Sequence, residues 1–167
     1  MAFPETERLS PNRGPDTNER LGVLFHHSVL PFGETIALMS DPASQVSYHC
    51  LIDADGTRCT LAPDAVVAWH AGASSFLGRS RCNDFLLGVA FAGDTYKAPL
   101  TGEQLRSAIE WLEPRWARLG WDVSRMTDHR QASPGRKNDL NPPEWDRLIA
   151  AIRLHFGGAQ VPVSFTC

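Results

Sequence analysis

Phe85-Leu86-Leu87-Gly88-Val89-Ala90-Phe91-Ala92 is the most strand-like apolar run in the chain, and Gly93-Asp94 ends it. Its place is the middle of a sheet. A second run, Leu21-Gly22-Val23-Leu24-Phe25, is too short for a helix and leads into His26-His27, so 21–27 reads as another buried strand. Val46 to Ile52 and Thr57 to Leu61 read as a hairpin around Asp55-Gly56, a pair suited to a positive-φ turn. Ala65 to His70 reads as one more short strand.

Helical signals lie between and after these strands. Glu34 to Met39 fits one or two turns before Asp41-Pro42. Thr101-Gly102-Glu103-Gln104 is a capping-box pattern opening a helix to about Arg118, with Leu105, Ile109 and Leu112 on one face and a kink expected at Pro114. Pro142-Pro143 opens another, with Trp145, Leu148, Ile149 and Ile152 as its buried stripe. Strands mixed with helices predict an α/β or α+β single domain with a mixed central sheet flanked by helices. The expected boundaries are an irregular arm over 1–20, a domain over 21–157 and a tail over 158–167.

The bulk numbers exclude several classes. A chain of 167 residues, 43% hydrophobic and 21% charged, is long enough for one domain with a proper core. A net charge of -3 with no basic tract beyond Arg136-Lys137 argues against nucleic acid as a partner. No stretch approaches the roughly 18 apolar residues of a membrane span, and the first residues lack a secretory apolar core. A cytoplasmic monomer is therefore expected, with export by a phage, secretion-system or other non-classical route left open. Cys50, Cys59, Cys82 and Cys167 show no metal-type spacing and are expected reduced, although Cys50 and Cys59 flank the hairpin and could approach one another.

The chemistry is concentrated in Asp128-His129-Arg130-Gln131-Ala132-Ser133-Pro134-Gly135-Arg136-Lys137-Asn138-Asp139. Pro134-Gly135 marks it as an exposed, irregular connection rather than a helix or central strand. A histidine and a carboxylate are too few for a divalent ion, and His26, at the end of a buried strand, is the candidate third ligand. Two histidines and one carboxylate leave a zinc position open, which is the catalytic arrangement. The small-residue loop 71–83 reads as cleft lining.

Leu24-Phe25-His26-His27-Ser28, Val46 to Ile52 with Asp55-Gly56, Ala68-Trp69-His70-Ala71-Gly72, Arg81-Cys82-Asn83-Asp84-Phe85 and His129 through Asp139 together resemble the zinc-dependent type 2 N-acetylmuramoyl-L-alanine amidases. Their fold is shared with peptidoglycan recognition proteins. The blocks at Trp69 and Arg81 look most like the AmpD-like branch, which recycles cell-wall fragments. The resemblance implies that His26, His129 and Asp139 hold Zn2+, and that Lys137 stabilises the oxyanion formed at the scissile amide of a muropeptide or peptidoglycan substrate. It also implies that Trp69 and Arg81 line the substrate groove, with Phe76 and Asn83 as weaker candidates and His27 on the cleft rim. His49 and His70 are read mainly as hydrogen-bonding supports or core.

One position departs from the pattern. AmpD-like enzymes carry glycine, an aliphatic residue and a general-base glutamate on the central strand, whereas this chain has Gly88-Val89-Ala90. Three accounts stand open. Ala90 is an engineered replacement of a glutamate, made to trap substrate, and inactivates the chain; or Tyr48, at the position of a site tyrosine in phage-lysozyme-type amidases, takes over; or the chain binds muropeptide without cutting it.

Overall fold

The computed structural model describes residues 2–157. In chain order its elements are β1 (Glu5–Glu7), β2 (Gly22–His27), α1 (Phe32–Ser40), β3 (Cys50–Ile52), β4 (Arg58–Thr60), β5 (Ser75–Phe76), β6 (Arg79–Ser80), β7 (Leu86–Phe91), α2 (Gly102–Trp116), β8 (Met126–Asp128), α3 (His129–Ala132) and α4 (Pro142–Phe156). Six strands form one mixed sheet in the order β1-β4-β3-β7-β2-β8. β3, β7, β2 and β8 run parallel, and β4 is antiparallel to β3. The apolar run Leu86–Phe91, β7, lies between β3 and β2, and all six of its residues are buried.

Alternation along β7 splits the two faces of the sheet. Leu87, Val89 and Phe91 join Val23, Phe25, Cys50 and Ile52 in the larger core, which Ala108, Trp111 and Leu112 of α2 and Leu148, Ile149 and Ile152 of α4 cover. On the other face Leu86 packs with Leu24, Ala71, Cys82 and Phe85, while Ala90 packs with Leu51, Cys59, Leu61 and Met39 of α1. Between them, Gly88 leaves space for the His70 ring: a Cβ there would lie 2.5 Å from its Cγ.

The helices follow their local signals. Thr101 and Gln104 form the complete capping box of α2, satisfying two of the donors left free at a helix start. Pro114 falls near the end of α2 and the helix stops two residues later, short of Arg118. α4 begins with its two prolines and buries Leu148, Ile149 and Ile152, with Trp145 partly covered.

Several expectations differ from what is found. The arm contains β1, which pairs in parallel with β4, and its Glu5 meets buried Arg58, which also reaches Glu110 of α2. Tyr48 and His49 precede β3 rather than lying on it. The expected strand over 65–70 is instead a turn followed by a single bridge between Arg13 and Ala68: the Val66 N–H closes the turn on the Pro63 carbonyl, Val67 donates to the Pro15 carbonyl, and Trp69 and His70 donate to the Ser47 and Asn83 side chains, so no ladder continues. The segment at Asp128 is more regular than expected: Asp128 ends a buried strand and caps one turn of helix, accepting from the Gln131 backbone N–H. Cys50 and Cys59 face opposite sides of the sheet, each packed as a free thiol in a different core cluster. Cys167 and the tail over 158–167 lie outside the described residues.

Two consequences are open to measurement. Gly88→Ala should destabilise the fold by about 1–3 kcal/mol through overpacking against His70, read as a shift of the urea midpoint. His49 is buried, and that burial pushes its imidazole from 6.5 down to about 4. Below pH 6.5 the unfolded chain takes up a proton that the folded His49 refuses until about pH 4. Stability of the metal-free chain should therefore fall with pH across that window, by up to about 1.4 kcal/mol per pH unit from this group, and His49→Gln should flatten the slope.

Candidate metal centre

The parallel strands deliver the chemistry at one end of the sheet. β2 ends at His26-His27, β8 ends at Asp128 with His129 opening α3 beside it, and Ala90 on β7 is the register partner of His26. In open α/β sheets ligands bind beyond the carboxyl ends of such strands. Asp128 organises this corner. Its carboxylate accepts from the Gln131 and Leu140 backbone N–H groups, so it ties the start of α3 to the residue after Asp139.

His26, His129 and Asp139 are all buried, and their donor atoms come together. His26 Nδ1 lies 3.0 Å from His129 Nδ1 and 3.6 Å from Asp139 Oδ2, and His129 Nδ1 lies 3.5 Å from Asp139 Oδ1. Ligand arms of about 2.0–2.2 Å set at tetrahedral angles give edges of about 3.3–3.5 Å, so these separations suit one zinc-sized ion.

Protonation makes the fit stronger. His129 Nε2 sits 3.0 Å from the Ala71 carbonyl, which can only accept, so that nitrogen carries the proton and His129 Nδ1 is bare. The Arg136 guanidinium, 3.4 Å from the same nitrogen, is occupied by the Ala71 and Ala73 carbonyls. His26 Nε2 lies 3.0 Å from His70 Nδ1, and His70 Nε2 lies 3.3 Å from the Leu86 carbonyl. The same logic leaves His26 Nδ1 bare. Burial, and then the His129 ring, pushes His26 down to about 4, so it is neutral at physiological pH. Two lone pairs and a carboxylate thus face one another with no proton to share, an arrangement that calls for a cation.

A cavity of about 280 Å³ opens over this group. Tyr48, Trp69 and Lys137 line it together with the three candidate ligands, and Leu38, Met39 and Val46 form an apolar wall. The Tyr48 ring stands 5.0 Å from that of His26 and packs against the cluster containing Ala90. Burial, and then the charge of Asp139, raises its phenol above the usual range, so Tyr48 keeps its proton. Among the described residues lining the cavity, Asp139 is the one carboxylate.

The remaining sequence candidates divide. Trp69 also borders an adjoining depression formed with Arg81 and Asn83. Arg81 is exposed there and paired with Asp84 at 3.2 Å, while Asn83 spends its carbonyl oxygen on the His70 and Ala71 N–H groups. The His27 ring is held away from the candidate ligands: its Nδ1 accepts from the Thr95 N–H at 3.1 Å, although the residue still borders the cavity. Phe76 lines neither cavity and packs onto the cluster of Leu24, Cys82 and Phe85. Asp128 and Arg136 were not singled out from sequence. Asp128-His129-Arg130-Gln131 is nonetheless a helix-start pattern, which was the available signal.

The 1,6-anhydro-N-acetylmuramyl-L-alanine amidase AmpD of Citrobacter freundii is 37% identical over 111 residues, 65% of this chain and 58% of that protein. The N-acetylmuramoyl-L-alanine amidase AmiD of Escherichia coli is 29% identical over 142 residues, 75% of this chain and 51% of that protein. The chain thus spans little more than half the length of these relatives. A crystal structure of a selenomethionine AmpD derivative superposes with a TM-score of 0.77 at 29% identity, covering 91% of this chain and 96% of that one. A family model described as N-acetylmuramoyl-L-alanine amidase matches residues 17–143, and with that match the chain belongs to the N-acetylmuramoyl-L-alanine amidase family, Amidase_2.

Proposed function

We propose that this chain hydrolyses the amide between the lactyl group of N-acetylmuramic acid and the L-alanine of a muropeptide, with zinc held by His26, His129 and Asp139. The observation that carries the proposal is the convergence of two bare imidazole nitrogens and a carboxylate on a cavity that Lys137 and Tyr48 also line, in a chain of this family. Bound there, zinc would supply a Lewis acid and make water acidic enough to react near neutral pH.

The protein's own groups divide the remaining work. Lys137 places a positive charge on the cavity wall, where negative charge develops on the amide oxygen. The Tyr48 O–H is a second donor facing the same space. Trp69 offers an apolar face to the sugar or peptide, and Arg81, in the adjoining depression, offers a guanidinium suited to a peptide carboxylate. We assign position 90 to packing: its methyl sits in the cluster that Tyr48 covers, so a small residue at 90 and a large one at 48 share one volume. No carboxylate other than Asp139 lines the cavity among the described residues, and Tyr48, with its phenol held protonated, contributes as a hydrogen-bond donor at the scissile amide rather than as a base.

Incubation with a 1,6-anhydro-muropeptide should release free stem peptide. Chelation should abolish this and added zinc restore it, and Lys137→Ala should lower kcat about 10²–10³-fold with a smaller change in KM. A chain that binds the muropeptide with zinc present and releases no peptide would be a binding protein instead. Tyr48→Phe should cost on the order of 10²-fold or more in kcat. Ala90→Glu alone should bring no gain, because a carboxylate there would enter the apolar cluster of Met39, Leu51, Cys59 and Leu61 that Tyr48 packs against, whereas Ala90→Glu combined with Tyr48→Ala should recover activity. A large gain from Ala90→Glu alone would mean that position 90 belongs to a carboxylate and that Tyr48 does not replace it.

A further inference from the structure

We infer that His70 is a positioning residue for the metal centre: its Nδ1 accepts a hydrogen bond from the His26 Nε2–H and so keeps the lone pair of His26 on Nδ1, facing His129 and Asp139. The inference rests on the metal-binding reading above and deepens it. The Leu86 C=O has no proton to give, so the 3.3 Å contact with His70 Nε2 requires the proton on that nitrogen. His70 Nδ1 is then an acceptor, and the 3.0 Å contact with His26 Nε2 requires the proton there. Reversing the chain would set His70 Nε2 bare against the carbonyl, an unmade hydrogen bond between two buried groups.

The rest of the structure holds His70 in that attitude. Its ring occupies the space left by the missing Cβ of Gly88, where any larger residue would displace it. Its backbone N–H, with that of Ala71, donates to Asn83 Oδ1 at 3.0 and 2.8 Å. The T-shaped contact with the buried His49 ring, centroids 5.8 Å apart, closes the other side. His49 is itself fixed, accepting from the Gly88 N–H at 2.9 Å and donating to the Val66 carbonyl at 2.7 Å. Two adjacent residues therefore set both imidazoles: the His70 side chain fixes His26, and the Ala71 carbonyl fixes His129. Outer partners of this kind raise ligand basicity and fix ring orientation.

Long-range 1H–15N spectra of the metal-free full-length chain read the tautomer directly. His26 should be protonated on Nε2 and bare on Nδ1, and the opposite tautomer would overturn the inference. In zinc competition against a chromophoric chelator, His70→Leu should bind about 10–100-fold more weakly than the parent. His70→Asn, which keeps an acceptor for His26, should recover most of that loss. Equal affinity for the parent and a folded His70→Leu, or no advantage of Asn over Leu, overturns the positioning role while leaving the metal site standing. Should His70→Leu not fold, the parent spectrum and the Asn variant still decide. Failure of the parent to bind zinc removes the metal reading itself, and the positioning role with it.

Discussion

Three electron-rich atoms with no proton between them occupy one buried corner of this protein, and the rest of the site is arranged around that conflict. Two imidazole nitrogens 3.0 Å apart, each beside the same carboxylate, repel one another unless a positive charge sits among them. Burial removes the water that would otherwise screen them. The parts that enforce the conflict are neutral and short: two backbone carbonyls, a third histidine and an asparagine. A fold that spends buried hydrogen bonds on keeping lone pairs bare is prepared for a cation, and in the unfolded chain these groups would be free to protonate.

The sheet supplies the precision. Adjacent parallel strands place Ala90, His26 and the Asp128-His129 junction side by side at their carboxyl ends, so the spacing of one ligand pair follows from strand pairing rather than from loop geometry. The third ligand comes from the connection after α3, and Asp128 anchors its far end by accepting from Leu140. Lys137 and Asn138 stay exposed between these fixed points. Rigid elements thus carry the candidate ligands, and the more open stretch of chain carries a charge that must meet substrate.

Much of this was legible in the amino-acid sequence because buried strands announce themselves. The runs ending at His26 and spanning Leu86–Phe91 have compositions that only a sheet interior explains, and the family motifs lie at their ends. The capping box at Thr101 and the prolines opening α4 gave equally local signals. Three-residue strands and single turns have no periodicity to read, and only the helix-start pattern at Asp128 marks α3. β8 and α3 are too short for any periodicity to register, so Asp128 and His129 read as loop. The difference at Ala65–His70 has another cause: a short apolar run looks like a strand in sequence, whereas here its N–H groups are shared out among a turn carbonyl, the Pro15 carbonyl and the side chains of Ser47 and Asn83. The neighbours of His70 were invisible for the same reason, since they are set by long-range contacts with Leu86, Gly88 and His26.

β1 bears on how the molecule behaves in company. An unpaired sheet margin invites another chain to add to it, and the outermost strand here is three residues long with glutamates at both ends. Glu5 is bridged through Arg58 to Glu110 of α2, so the margin is fastened to the helical layer as well as to β4. A short, acidic border of this kind discourages strand-by-strand polymerisation, and it lets the opposite end of the sheet stay open to a ligand without the whole protein becoming adhesive.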